Sequence, residues 1–192
     1  MSLIPAFEIG VWNAWILMVI IFLYIILTVQ MFKGVGEKMA HGGEEKRFSK
    51  YVALLFFILL IYSIFLPLKL WSMWFYIGLL LYVLSMIVLT ITVANIAATP
   101  KGEPFTKGMY RYSRNALSLG MILVFIGIGI ASASWLFLLI SAVLTVITHF
   151  MILVEERTCL NKFGEAYREY MNRTPRWLGI PKSIEWKEGQ NN

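Results

Sequence analysis

Long apolar runs alternate with short polar segments along the chain. A transmembrane helix needs roughly 20 apolar residues. Three runs in the first half approach or exceed that length: Ile9–Phe32, Tyr51–Leu68 and Phe75–Ala98. Each run is closed by a charged residue or by proline. The pattern therefore predicts three membrane-spanning helices within residues 1–98.

A fourth apolar stretch, at 117–154, has 38 residues. It is too long for one crossing and suits two helices joined by a tight turn. The small residues at 131–134 are the place for that turn. Gly120, Gly127 and Gly129 lie in the first helix of the pair. We interpret them as sites of helix packing rather than as a nucleotide-binding loop.

Basic residues predict the orientation of these spans, because cytoplasmic loops are enriched in Lys and Arg. The segment 33–50 holds five of them, 99–116 holds four, and the tail after Val154 holds seven of the 17 in the chain. Five crossings put all three segments on one side, whereas four would separate the tail from the others. The N-terminus is therefore predicted outside and the C-terminus in the cytoplasm.

The tail at 155–178 is amphipathic rather than irregular. Apolar residues recur on one helical face, followed by Pro175. The members of that face are Leu160, Phe163, Tyr167, Tyr170 and Met171. The tail is predicted to be a cytoplasmic helix, either a continuation of the fifth span or a second helix after Gly164.

The predicted fold class is an all-α integral membrane bundle of about five transmembrane helices. Residues 1–98 form three helices with a basic cytoplasmic loop at 33–50. Residues 99–192 form a second half that contains a loop at 99–116, the hairpin and the amphipathic tail.

Composition agrees with a membrane protein. The chain is 59% hydrophobic and only 15% charged, and its mean hydropathy is +0.71, whereas a soluble domain is about a quarter charged. The net charge of +6 suits anionic lipid headgroups. The sequence has no basic stripe with interleaved aromatic residues, so it does not predict nucleic-acid binding. The two histidines, His41 and His149, are too far apart for a metal-site spacing, and the single Cys159 excludes an internal disulfide.

Polar groups in the spans are candidate functional residues, because burying them in hydrocarbon is costly. Asn95 lies near the inner end of the third span. On the fifth span, His149 and Glu156 are seven residues apart and share a helix face. Glu155 and Glu156 repel each other where that span leaves the membrane, and a cationic ligand nearby would relieve the repulsion. The alternatives are a solvated face for the acidic pair and a helix-packing hydrogen bond for His149.

Two motifs carry a resemblance. Residues 102–120 are similar to the segment, with the pattern G-x-Y-x-x-x-R-H-P-x-Y-x-G, that precedes the last helical hairpin of the isoprenylcysteine carboxyl methyltransferase family. Downstream, the acidic pair, Phe163–Gly164 and two tyrosines resemble that family's ending. The resemblance covers about residues 99–178. Asn115 replaces His, as in the related phospholipid N-methyltransferases, while Ala116 and Ser118 replace Pro and Tyr.

The resemblance implies a membrane enzyme that binds S-adenosylmethionine at the inner ends of its last spans. By this resemblance, the residues at positions that line the cofactor in the family are Glu103, Phe105, Tyr110, Asn115, Ser118, Glu155 and Glu156. The implied catalytic residues are Arg114, Asn115 and Glu156. Asn95, Arg111 and His149 are candidates for binding the substrate.

Methyl transfer from a sulfonium needs aligned reactants and excluded water, but no triad and no metal. We therefore predict an S-adenosylmethionine-dependent methyltransferase whose lipid or prenyl-like acceptor arrives from the bilayer. Carboxylate O-methylation is slightly favoured over amine N-methylation, because the carboxyl family's ending matches at more positions. The alternatives are an NADPH-dependent reductase of the steroid 5α-reductase type and a non-catalytic membrane scaffold.

Overall fold

The computed structural model describes residues 9–31, 43–100 and 102–181. These ranges contain six α-helices and one short 3-10 helix. The helices are α1 (Trp15–Met31), α2 (Gly43–Ile64), α3 (Met73–Ala98), the 3-10 helix (Gly108–Arg111), α4 (Ala116–Ala131), α5 (Trp135–Phe163) and α6 (Glu165–Arg173). The predicted all-α bundle is confirmed. Much of the predicted basic loop at 33–50 lies outside the described residues.

Three helices in the described part of the chain are long and apolar enough to cross a bilayer. They are the Lys46–Ile64 part of α2, α3 and α5. The Trp15–Thr28 part of α1, together with α4, is apolar but shorter. These helices support a multi-pass membrane protein, while the count of five crossings and the orientation of the termini stay predictions.

The first span begins later than the apolar run suggested, at Trp15 rather than Ile9. The reason is a set of hydrogen bonds at the end of α2. The Asn13 side-chain amide donates to the Ile64 carbonyl at 2.8 Å, and the Ala14 N–H donates to the Leu66 carbonyl at 2.8 Å. These bonds, with an isolated antiparallel bridge between Asn13 and Pro67, tie the turn that precedes α1 to the chain that leaves α2.

The turn of the last hairpin lies where the small residues predicted it. The Ser132 hydroxyl donates to the Ile128 carbonyl at 2.8 Å. The Ser134 hydroxyl accepts from the Phe137 N–H at 3.2 Å, which caps the N-terminus of α5. The tight hairpin is therefore confirmed.

The α4 glycines lie at helix contacts, as the sequence indicated, and Gly120 and Gly127 pack against α3 rather than against α5. A Cβ on Gly127 would lie 2.9 Å from the Tyr82 amide nitrogen, and one on Gly78 would lie 2.5 Å from the Gly127 carbonyl oxygen. Only Gly129 faces α5, where Leu138 approaches it. The sequence shows that α4 carries small residues, but it does not show which helix packs against them.

This close approach predicts an unequal response to two alanine substitutions. Gly78→Ala is expected to destabilise the protein by about 1–3 kcal/mol, because its new methyl group meets backbone atoms of α4. Gly120→Ala should cost less, because its methyl group meets the end of the Leu89 side chain, 2.7 Å away, which can rotate. Thermal unfolding in detergent measures both, with Leu80→Phe on the exposed face of α3 as control. Equal effects of the two alanines would contradict the packing described.

The tail both continues the last long helix and forms a second helix after Gly164, the two alternatives that the sequence left open. Helix α5 continues to Phe163, and Gly164, with φ of 57°, then separates it from α6. Tyr167 and Tyr170 form the buried face of α6. After Thr174 the chain turns back toward the start of α4, which creates the candidate site.

Candidate active site

Three segments meet at the end of the bundle that carries the loop at 99–116. One is the chain from the 3-10 helix to Asn115, the second is the last part of α5, and the third is the segment 174–179, here called the strap. The Arg114 N–H donates to the Pro175 carbonyl at 3.0 Å, and the Gly179 N–H donates to the Tyr112 carbonyl at 3.0 Å. The strap is thus bound, through its backbone, to the residues that precede α4.

The centre of the site is an ion-pair cluster in which Arg114 and Glu156 are buried and Arg176 is partly exposed. The Glu156 side chain is only 5% exposed. The Arg176 Nε donates to both Glu156 oxygens, at 3.2 and 3.1 Å, and its Nη2 donates to Oε2 at 2.8 Å. The Arg114 Nη2 lies 3.4 Å from the Glu156 Oε1. The repulsion predicted for the acidic pair is therefore offset by cations of the protein itself.

Arg114 is incompletely paired. Its side chain is 8% exposed. Neither its Nε nor its Nη1 has a hydrogen-bond partner among the residues that the structure describes. An unpaired buried donor on a charged group is costly, so this edge of the guanidinium is a candidate ligand contact.

An aromatic cluster adjoins the ion pairs. The Tyr170 hydroxyl donates to the Tyr110 carbonyl at 2.7 Å. The ring centroids are 5.7 Å apart for Tyr167 and Tyr170, and 5.6 Å apart for Phe105 and Tyr110. Burial raises the pKa of Tyr110, and the charge of Glu155 raises it further. The cluster therefore combines aromatic faces with a nearby carboxylate.

The buried phenols predict instability at alkaline pH. Burial raises the pKa values of Tyr110, Tyr167 and Tyr170 above the ordinary 10.0. Above pH 10 the unfolded chain loses these protons while the folded chain keeps them, so stability present below pH 10 is lost as pH rises. Tyr167→Phe should shift alkaline unfolding to higher pH, as followed by circular dichroism. An unchanged midpoint would show that Tyr167 titrates normally in the folded protein.

Several residues predicted from sequence lie together here. Asn115 is buried, and its side-chain amide donates to the Arg176 carbonyl at 3.1 Å instead of capping α4. The His149 ring stacks on Trp177, with centroids 5.9 Å apart. His149 and Glu156 thus share a face of α5 that the strap covers.

Others lie at the edge of the cluster. Glu103 and Arg111 are exposed, and Ser118 is half-buried in the first turn of α4. Asn95 packs against Gly108, where a Cβ would collide with the Asn95 amide group. The Asn95 Nδ2 is buried without a partner in the described ranges. The roles of all these residues stay predictions.

The sequence reasoning missed two residues, Arg176 and Trp177. Arg176 holds Glu156, which lies 20 positions earlier in the chain. The only signal was its place directly after Pro175, at the end of the matched motif.

The chain was also compared with known proteins. A family model described as phospholipid methyltransferase matches residues 69–166. The match contains Arg114, Asn115 and both carboxylates of the acidic pair. No curated protein matches the chain significantly, and no solved structure does so. The narrower resemblance to the isoprenylcysteine carboxyl methyltransferases stays a prediction. Because the family model covers half of its length, including α3, α4 and α5, the chain belongs to the phospholipid methyltransferase family.

Proposed function

We propose that this protein transfers a methyl group from S-adenosylmethionine to the amine headgroup of a membrane phospholipid. The observation that carries the proposal is the joining of carboxylates, aromatic faces and an incompletely paired arginine at one end of the apolar helices. Most of this cluster lies within the segment that the family model matches. The distribution of basic residues predicts that this end faces the cytoplasm.

The residues present fit a cationic methyl donor. A sulfonium is stabilised by aromatic faces and by nearby carboxylates. The Phe105–Tyr110 pair and Tyr167 supply the faces, and Glu155 acts electrostatically on both tyrosines. When bound, S-adenosylmethionine supplies the activated methyl group. The protein's part is to hold it against the acceptor and to exclude water.

The acceptor must present a nucleophile next to this cluster. A headgroup amine attacks through its lone pair, which forms a carbon–nitrogen bond as the carbon–sulfur bond breaks, and it loses one proton. We assign that proton to bulk water, released before the attack, and we assign to Glu155 the stabilisation of the positive charge on the methyl donor. Glu156 instead holds Arg114 and Arg176 in place. An amine acceptor, rather than the carboxylate favoured from sequence, agrees better with the phospholipid family.

Two substitutions at Tyr110 test the fit to the cofactor. Tyr110→Leu removes the aromatic face and should weaken S-adenosylmethionine binding by about tenfold or more, because a desolvated cation–π contact contributes about 2 kcal/mol. Tyr110→Phe keeps the face and should bind normally. Isothermal titration calorimetry measures both, with Tyr112→Leu on the exposed neighbouring position as control.

The same titrations distinguish the alternatives. NADPH binding in place of S-adenosylmethionine would support the reductase. Binding of neither would support the scaffold. Equal affinities of the leucine and phenylalanine variants would show that the Tyr110 face does not contact the donor.

A further inference from the structure

We propose that the unpaired edge of Arg114 binds the phosphate of the acceptor headgroup. This inference rests on the proposed function, since it assigns the group that recognises a phospholipid within the same site. It divides the site into a part that holds the phosphate and a part that holds the reacting amine.

The first observation is the unequal sharing of Glu156. Arg176 takes both carboxylate oxygens, with Nε and Nη2 at 2.8–3.2 Å. Arg114 reaches the same carboxylate with one nitrogen only, at 3.4 Å. Two guanidinium groups thus face one Glu156 carboxylate. The Arg114 charge is only partly compensated by this residue, and an added anion would complete the pairing.

The second observation is the burial of the unused donors. The Arg114 side chain is 8% exposed, and its Nε and Nη1 have no partner in the described part of the chain. An arginine presents five N–H donors in a planar fork that matches two oxygens of a phosphate or carboxylate. The geometry therefore favours an oxyanion over a neutral ligand.

The third observation is the position of Arg114 relative to the apolar helices. It immediately precedes Asn115, after which α4 is apolar from Ala116 onward. The N-terminus of a helix also favours a nearby anion, and the Asn115 side chain makes no capping bond to α4. A residue at the boundary of an apolar span lies at the depth of lipid headgroups. We therefore assign the oxyanion to the lipid phosphate rather than to the carboxylate of the cofactor.

The aromatic cluster lies within reach of the same arginine. Burial raises the pKa of Tyr170, and the Arg114 charge acts in the opposite direction and lowers it by a smaller amount. The Tyr170 hydroxyl in turn donates a hydrogen bond to the Tyr110 carbonyl. The phosphate and amine of an ethanolamine headgroup are two carbons apart. A phosphate on Arg114 would thus leave the amine close to the proposed methyl-donor site.

Two amine ligands, one with a phosphate and one without, test this assignment. The probes are lysophosphatidylethanolamine and a primary alkylamine of the same chain length, with binding followed by thermal shift of the full chain in a non-phosphate detergent. Arg114→Gln should weaken binding of the lysophospholipid by at least about tenfold and leave alkylamine binding unchanged. Arg114→Lys keeps the charge without the planar fork and should be intermediate. Arg157→Gln, on the exposed face of α5, is the control.

The outcomes distinguish the lipid phosphate from the cofactor's carboxylate as the bound oxyanion. They also distinguish failure of the phosphate site from failure of the proposed methyl transfer. Normal lysophospholipid binding by Arg114→Gln would overturn the phosphate site. Weaker S-adenosylmethionine binding with unchanged lipid binding would also overturn it, because the oxyanion would then be the cofactor's carboxylate. If Arg114→Gln does not fold, Arg114→Lys decides by the same criteria. Arg114-dependent lysophospholipid binding without any methyl transfer would support the phosphate site and contradict the proposed function.

Discussion

Replacing Glu156 by glutamine is expected to destabilise the protein by about 3 kcal/mol, because it leaves the buried Arg114 and the partly exposed Arg176 without their shared carboxylate. Chemical or thermal unfolding in detergent measures the loss. Glu169→Gln is the matched control, since it breaks an exposed ion pair with Arg173. That control should cost less than about 1 kcal/mol.

A double variant shows whether the charge imbalance is the cause. Arg114→Gln combined with Glu156→Gln removes one cation together with the carboxylate, so part of the lost stability should return. If Glu156→Gln costs no more than Glu169→Gln, or if the double variant is as unstable as the sum of the single ones, the carboxylate does not hold the two arginines.

The pH dependence of methyl transfer is expected to be steep. A lipid amine is mostly protonated near neutrality and must lose a proton before it attacks. The value of kcat/KM for the acceptor should therefore rise by nearly tenfold per pH unit, or about 100-fold from pH 6 to pH 8. The measurement is the initial rate of radiolabelled methyl transfer into an ethanolamine phospholipid. The site tyrosines do not interfere, because their pKa values are raised above 10.0.

A carboxylate acceptor would behave differently. It is already ionised above about pH 5, so its methylation should be nearly independent of pH between 6 and 8. Binding of S-adenosylmethionine, measured over the same range, is the control for a change in the protein. A flat rate profile would contradict the amine acceptor and restore the carboxylate that the sequence favoured.

Much of the fold could be predicted from the sequence, because membrane helices depend on local composition. The third span ends at Ala98 as predicted, and the last hairpin turns at Ser132–Ser134. Helix partners are not local properties, so the close contact between Gly78 and α4 could not be predicted. The start of α1 also depends on a residue far away in the sequence, because the Asn13 side chain donates a hydrogen bond to the Ile64 carbonyl.

The candidate site could be predicted only as a set of residues. The spacing of two motifs selected Arg114, Asn115 and Glu156, and the structure brings these three together. Their partners could not be predicted, because Arg176 returns to Glu156 only after Gly164 and Pro175 redirect the chain. The unused edge of Arg114 likewise depends on how α4, α5 and the strap pack.

The measurement that tests the central claim most directly is methyl transfer by the purified protein in nanodiscs. The discs contain an ethanolamine phospholipid, the donor is methyl-labelled S-adenosylmethionine, and the extracted lipid is treated with mild base. The account predicts label that stays on the headgroup, because an N-methyl bond resists base. Label released as volatile methanol would show a methyl ester and contradict the amine acceptor, and unlabelled lipid would contradict the enzyme itself.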